Sequence, residues 1–333
     1  MDLSHTFKCL IKPQQDGLTL IEALTQRFPY LSQAEWQNLI SSGAVLVNNS
    51  PASTDLILKI NDQLTTQIHL PEEPWKEIEI PVVYETDSFL LVEKPAGMPV
   101  TRTSDIVHNT LINTLRHQRD NKEIQLMHRL DQETTGLILC ASNRQSCKQW
   151  QRHLNKIIRR KFYLVVVSGN LNVSDHLIQQ PLAEKKESTV RCQMHIDPAG
   201  KPATTTVHTI ATHHDYSLIL AELHTGRKHQ IRAHLAHLGH PLLGDKIYSC
   251  DGYYFLARMK RKLTIDDYTA LKATHHTLHA WAMELQLPSG NPHLFFSDHF
   301  SQDMEHYLTL FPNWQKKAHD GLIYLKNKQK PLF

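Results

Sequence analysis

Residues 127–136 read MHRLDQETTG, an arginine and an aspartate two positions apart followed by two threonines and a glycine. The apolar run Leu-Ile-Leu-Cys-Ala comes next and reads as a buried strand, so Asp131 sits where a polar turn enters a core. A carboxylate held there can attack an electrophile or remove a proton, provided that a neighbouring cation keeps it ionised. The plainer alternative is a structural turn in which Asp131 or Thr134 caps backbone donors.

Residues 224–241 (HTGRKHQIRAHLAHLGHP) are a second dense stretch. Ile231, Leu235 and Leu238 recur on one helical face, and Gly239 with Pro241 ends the helix. Arg232 falls at the edge of that apolar stripe, where a guanidinium is partly buried and requires a carboxylate partner. Histidines 229, 234, 237 and 240 invite a metal reading. They lack an H-E-x-x-H pattern or a cysteine partner, and Gly239 takes His240 off the helix. No Walker or dinucleotide glycine motif is present, so no metal and no cofactor is expected.

A third stretch, residues 144–161, holds seven Lys or Arg and no acid. Arg144, Lys148, Arg152, Lys156 and Arg160 recur every fourth residue, which predicts a basic stripe along one helix. Cys147, Trp150, Leu154, Ile157 and Ile158 form its apolar face. A solvated face is the ordinary meaning of such a run. The complete absence of acids points instead to a polyanion, and nucleic acid is the natural partner.

The elements that position these residues belong to a chain of 333 residues, long enough for one large and one small domain. Apolar residues are 41% and charged residues 21%, ordinary for a soluble globular protein. No run approaches the roughly 18 apolar residues of a membrane span, so no membrane partner is expected. The N-terminal MDLSHTFKCL lacks an apolar signal core, and five scattered cysteines without a C-x-x-C pair read as reduced thiols. A cytoplasmic monomer is the expectation. Residues 1–74 hold four Lys or Arg against eight Asp or Glu, a net −4, and the remainder holds 32 against 25, a net +7. Basic character therefore belongs to the larger part.

Two short helices, LTLIEALTQRFP and SQAEWQNLISSG with Ser32 as N-cap and Gly43 as stop, precede a strand at AVLVNNS and another near DQLTTQI. LPEEPW, with two prolines, marks a linker. Beyond it the chain predicts two strands and a Lys-Pro-Ala-Gly turn in VVYETDSFLLVEKPAGMPV, and a helix at NTLINTLRHQ. A strand is expected at KFYLVVVSG, and a hairpin turning at His214-Asp215. These make an α+β catalytic domain on an extended, mostly antiparallel mixed sheet with flanking helices. The expected boundaries are 1–70 for the small module, 71–77 for the linker, 78–310 for the catalytic domain and 311–333 for a C-terminal basic tail.

HRLDQETTGLILCA, KFYLVVVSG, TGRKHQIRAHLAHLGHPLLGDKIY and LHAWAMEL stand in the order and at roughly the separations seen in pseudouridine synthases of the RluA type. With VEKPAGMPV the resemblance covers about residues 78–290. The N-terminal module resembles the S4 type, a common companion in that family, although Gln33 and Asn49 stand where basic residues are usual.

The resemblance implies the pseudouridine synthase fold and isomerisation of specific uridines in structured RNA, ribosomal RNA first and transfer RNA second, with no DNA partner. It implies that Asp131 is the nucleophile, that Arg232 pairs with it, and that Tyr163 stacks on the uracil and assists the last proton transfer. Arg129 would help extrude the target nucleotide. His128, Arg227, His229 and Ile231, with Lys148 and Arg152 of the basic stretch, complete the expected RNA contacts. Thr135 replaces the usual serine of T-S-G, TRT follows Val100 in place of a more typical His-Pro, and an extra basic stretch (ARMKRKLTIDDYTALKATHH) precedes LHA. These bear on target choice more than on catalysis. Two rivals remain, a catalytically inactive RNA-binding or ribosome-assembly factor on the same fold, and a metal-dependent nuclease, which lacks a carboxylate cluster.

Overall fold

The computed structural model describes residues 4–28, 31–69, 73–103, 106–185, 188–190, 192–287 and 290–328. The chain divides into two compact units, one of residues 1–77 with 101–110 and one of residues 78–100 with 111–333.

The first unit packs α1 (Leu20–Arg27) and α2 (Gln33–Ser41) with a four-stranded antiparallel sheet of β1 (Ser4–Leu10), β2 (Val45–Val47), β3 (Ser50–Pro51) and β4 (Gln63–His69), in the order β1-β4-β2-β3. Both helices start in capping boxes. The Ser32 hydroxyl accepts from the Glu35 N–H while the Glu35 carboxylate accepts from the Ser32 N–H, and Thr19 and Glu22 do the same. Asn48 and Asn49 both take positive φ, the geometry of a two-residue hairpin turn. Leu20, Leu24, Trp36, Ile40 and Leu64 fill its core. The two helices and the strands at β2 and β4 agree with expectation; β1 and β3 are additions. Residues 71 and 72 of the expected linker lie outside the described residues, and Glu73 is already part of this unit. Its carboxylate accepts the N–H groups of Val107, His108 and Asn109.

The second unit is built on one mixed sheet. Its strands and helices are β5 (Val82–Glu85), β6 (Phe89–Lys94), α3 (Leu111–Gln118), β7 (Gln125–Leu126), β8 (Thr135–Ala141), α4 (Arg144–Gln151), α5 (Leu154–Ile157) and β9 (Ile158–Ser168). There follow β10 (His176–Gln179), β11 (Leu182–Glu184), β12 (Met194–Ile196), β13 (Thr204–His213), β14 (Tyr216–Leu223), α6 (Gln230–His237), α7 (Tyr253–Lys260) and α8 (Ile265–Leu271). The last are β15 (Leu278–Gln286), β16 (Pro292–Phe296), α9 (Gln302–Leu308) and α10 (Trp314–Lys328). The strand order is β10-β13-β14-β9-β15-β8-β6-β5, with β16 on β15 and β7 on β8. Every pairing is antiparallel except β15 with β8. At that parallel contact a Cβ on Gly136 would meet the Ala280 carbonyl oxygen at 2.4 Å and φ is +98°, which explains the glycine of the opening motif.

The central strand β9 is buried on both faces, and the period of two divides its side chains. Phe162, Leu164 and Val166 pack with Leu218, Leu220 and Trp281 and with Leu322 and Leu325 of α10. Tyr163, Val165 and Val167 pack with Ile219 and Ala221 and with Ile231 and Leu235 of α6.

Two expectations are corrected here. The single helix over 144–161 is instead two short helices that give way to β9 at Ile158. Its apolar face survives, since Cys147, Trp150, Leu154, Ile157 and Ile158 do share one core cluster. From Ile158, however, the chain pairs with β15, Leu285 opposite Ile158 and Glu284 opposite Arg160. Arg160 is thus a buried strand residue: its guanidinium donates to both carboxylate oxygens of Glu222, at 2.6 and 2.7 Å, and to the Leu325 carbonyl. The second correction concerns the expected basic tail. Residues 314–328 form α10, which buries Ala318, Leu322 and Leu325 against the sheet; residues 329–333 lie outside the described residues.

Candidate active site

Asp131 opens a tight turn between β7 and β8 in which its carbonyl accepts from the Thr134 N–H. Each of the three residues that follow it is tied separately. Lys94, 1% exposed at the end of β6, donates from Nζ to the carbonyls of Pro95, Met98 and Gln132, all at 2.8 Å. Glu133 accepts from Lys246 Nζ at 2.9 and 3.1 Å and from the His276 N–H, and Thr134 Oγ1 shares a 2.8 Å hydrogen bond with His276 Nε2. Behind the turn, His128 Nε2 accepts from the Leu139 N–H of β8. The backbone of the turn is therefore fixed while the Asp131 side chain is left to face the cleft.

Arg232 of α6 meets that side chain. Nη1 donates to Asp131 Oδ2 at 2.7 Å, while Nε and Nη2 grip the two oxygens of Asp245 at 2.7 and 2.8 Å. Asp245 is fully buried and also accepts from the N–H groups of Ile247 and Tyr248. The guanidinium lies over the Tyr248 ring, 5.3 Å from its centroid. One cation thus serves two carboxylates, one buried and one at the cleft.

His229 caps α6 with a left-handed φ of 53°, and its Nε2 lies 3.9 Å from Asp131 Oδ1. Burial and the Arg232 charge lower its pKa to about 3, and the same two causes lower His276 to about 4. Both rings are neutral at neutral pH. Burial pushes the Asp131 carboxyl up, but the Arg232 charge, joined in acid by the protonated His229 and His276 rings, outweighs it and holds the group at about 2. Tyr163 projects from β9 on the α6 face; burial, then the Asp131 charge, raises its phenol well above the ordinary range. The site therefore presents an ionised carboxylate beside a neutral phenol, suited to attack on an electrophilic carbon next to a flat ring.

The other expected contacts divide. Arg129 is exposed, and Lys148 and Arg152 are exposed on and just beyond α4. Arg227 is exposed and donates to the Pro202 carbonyl. Ile231 does not reach the cleft; it is buried among Val207, Ala221 and Leu235 because it faces the sheet from α6. His128 is likewise occupied by its backbone contact, and burial, then Lys161, lowers it to about 3. Sequence reasoning missed Asp245, Lys94, Lys246, Glu133, His276 and Tyr248. The Gly-Asp-Lys of residues 244–246 was the available signal, since a Cβ on Gly244 would lie 2.3 Å from the His275 carbonyl oxygen.

Comparison with known proteins places this arrangement. Residues 88–237 match the RNA pseudouridylate synthase family. The chain is 30% identical over 258 residues to ribosomal large subunit pseudouridine synthase D of Haemophilus influenzae, spanning 73% of this chain and 76% of that protein. It belongs to the RNA pseudouridine synthases of the RluA type. The protein of the same name from Nitrosomonas europaea is 28% identical over 324 residues, spanning 93% of the synthase described here and 89% of the relative. Human RNA pseudouridylate synthase domain containing 4 shares the fold, with a TM-score of 0.53 at 20% identity over 69% of the synthase and 92% of that chain. The synthase is accordingly an isomerase acting on RNA. Among its described residues no helix is long and apolar enough to cross a membrane, and no group of His, Cys, Asp and Glu could hold a metal ion.

Proposed function

We propose that the synthase isomerises uridines of ribosomal RNA, with transfer RNA as the second candidate, and that Asp131 is the attacking group. The observation that carries this reading is the Asp131 carboxylate, ionised and held at one oxygen by Arg232 while the turn behind it is pinned. The names of the Haemophilus and Nitrosomonas relatives favour ribosomal RNA.

The carboxylate starts the reaction either by bonding to C1′ as the N1–C1′ bond breaks or by removing the C2′ proton to leave a glycal. The freed uracil, stacked on Tyr163, turns over and bonds to C1′ through C5 as the Asp131–C1′ bond breaks or, on the glycal route, as C2′ takes back its proton from Asp131; the C5 proton then leaves to solvent, with the phenol assisting. Arg232 keeps Asp131 ionised and aimed. Arg129 enters the stack to extrude the nucleotide. Arg227, His229, Lys148 and Arg152 contact the strand, whereas His128 and Ile231 act through packing.

The same reading treats the first unit as an S4-like module of low RNA affinity, because two capped helices on a small sheet carry a net −4. It has the synthase work as a cytoplasmic monomer without cofactor. Pseudouridine mapping of total RNA from cells with and without the gene tests it. Loss of one or a few sites in large-subunit ribosomal RNA is expected; loss confined to transfer RNA moves the target there, and no loss anywhere overturns the reading.

A further inference from the structure

The cations of the second unit that lie deepest are all matched. Arg160 has Glu222, Arg232 has Asp131 and Asp245, Lys246 has Glu133, and Lys94 has three carbonyls. Lys161 breaks the pattern. Among the described residues neither a hydrogen bond nor an ion pair partners its ammonium, although the side chain is half-buried.

Its position is informative. Lys161 lies two residues before Tyr163 on β9, so it shares the α6 face of the sheet with the stacking ring, whereas Arg160 points to the opposite face. Its Nζ is beside Gly226, 3.8 Å from where a Cβ there would stand, in the Thr225-Gly226-Arg227 segment that leads into α6. Its charge also reaches His128, three residues before Asp131. The ammonium thus sits between the segment that delivers Asp131 and the one that delivers Arg232.

We propose that Lys161 binds a backbone phosphate next to the target uridine and so seats the nucleotide against Tyr163 and Asp131. This rests on the synthase reading and deepens it. Holding a cation in a partly dry cleft with no counter-charge is unfavourable, and here burial alone lowers the lysine to about 8, no carboxylate being near enough to raise it. A uracil ring is neutral and cannot compensate; the strand that carries it can, since every nucleotide brings one phosphate about a sugar's width from C1′. Placing the cation apart from Asp131 leaves the nucleophile's charge free for the reacting carbon. Lys161 is a positioning residue, touching the strand and not the reacting atoms.

The test uses full-length synthase with Lys161→Met and Lys161→Arg. The substrate is total RNA labelled with 5-tritiated uridine, from cells lacking the gene, so that tritium release reports turnover whichever RNA is the target. In single-turnover assays Lys161→Met should raise the half-saturating enzyme concentration by roughly tenfold and flatten its log–log salt dependence by nearly one unit. The maximal rate should stay within about threefold, because the reacting groups are intact. Lys161→Arg should restore most of the affinity, and neither variant should melt at a markedly lower temperature. Unchanged half-saturation and slope in Lys161→Met, equal impairment of both variants, or a sharp drop in melting temperature would each overturn the proposal. Should wild-type synthase release no tritium, the synthase reading fails instead, and filter binding of the same RNA still measures the Lys161 salt slope.

Discussion

Arg232 gives Asp131 one nitrogen at 2.7 Å and keeps the other two for Asp245. The buried carboxylate fixes the guanidinium, and the guanidinium then presents one donor to the cleft carboxylate without depending on it for its own solvation. Orientation and ionisation of the Asp131 carboxylate are thereby separated from the stability of the fold.

That separation makes the two aspartates behave differently when neutralised. Asp131→Asn should abolish tritium release, leave RNA binding within about tenfold, and cost under about 2 kcal/mol in urea unfolding, because Arg232 remains paired. Asp245→Asn leaves a buried guanidinium undercompensated and should cost about 3–5 kcal/mol. Near wild-type turnover in Asp131→Asn would remove it from the nucleophile's role, and equal destabilisation by both changes would deny Asp245 the anchoring role.

Acid should weaken the fold before any of the site's carboxylates titrate. Burial keeps His128, His229 and His279 at about 3 and His276 at about 4, so the folded protein refuses protons that the unfolded chain accepts near 6.5. Their stabilising contribution is complete above pH 6.5 and falls as pH drops toward those folded values, by up to about 1.4 kcal/mol per unit for each ring. Asp131, at about 2, loses its own contribution only below its ordinary 3.8. Melting temperature should therefore decline steadily from pH 6.5 to 4.5, and His279→Gln should show a shallower decline. A constant melting temperature across that range is the contrary result.

What could be read in advance follows from how local each signal is. Asp131 and Arg232 stand in dense motifs whose apolar spacing betrays the core beside them, and the need of Arg232 for a carboxylate followed from its place on the stripe. Its second partner, Asp245, lies in a loop 13 residues on, and nothing in a linear sequence shows one guanidinium serving two carboxylates. Lys94 was read only as part of a turn, because the Gln132 carbonyl it holds is 38 residues away. In residues 314–328 the lysines were conspicuous, while Ala318, Leu322 and Leu325, at helical spacing, were the apolar face that folds α10 onto the sheet.

Arg160 is the most useful misreading, since it separates charge that contacts RNA from charge that holds the fold. Its fourfold spacing with Arg144, Lys148, Arg152 and Lys156 mimics a helix stripe, yet Ile158 begins a strand that turns it inward to Glu222. Lys148 and Arg152 stay exposed, and among the described residues neither has an acidic partner. Lys148→Ala with Arg152→Ala should flatten the salt dependence of RNA affinity by about one to two units and leave the melting temperature nearly unchanged. Arg160→Ala should do the reverse, costing about 3–5 kcal/mol in unfolding by leaving Glu222 buried and unpaired, with the salt slope of the surviving folded protein unaltered. Filter binding across a salt series, run beside thermal melts of all three proteins, decides it. A slope that flattens in Arg160→Ala but not in the double variant would return Arg160 to the RNA surface.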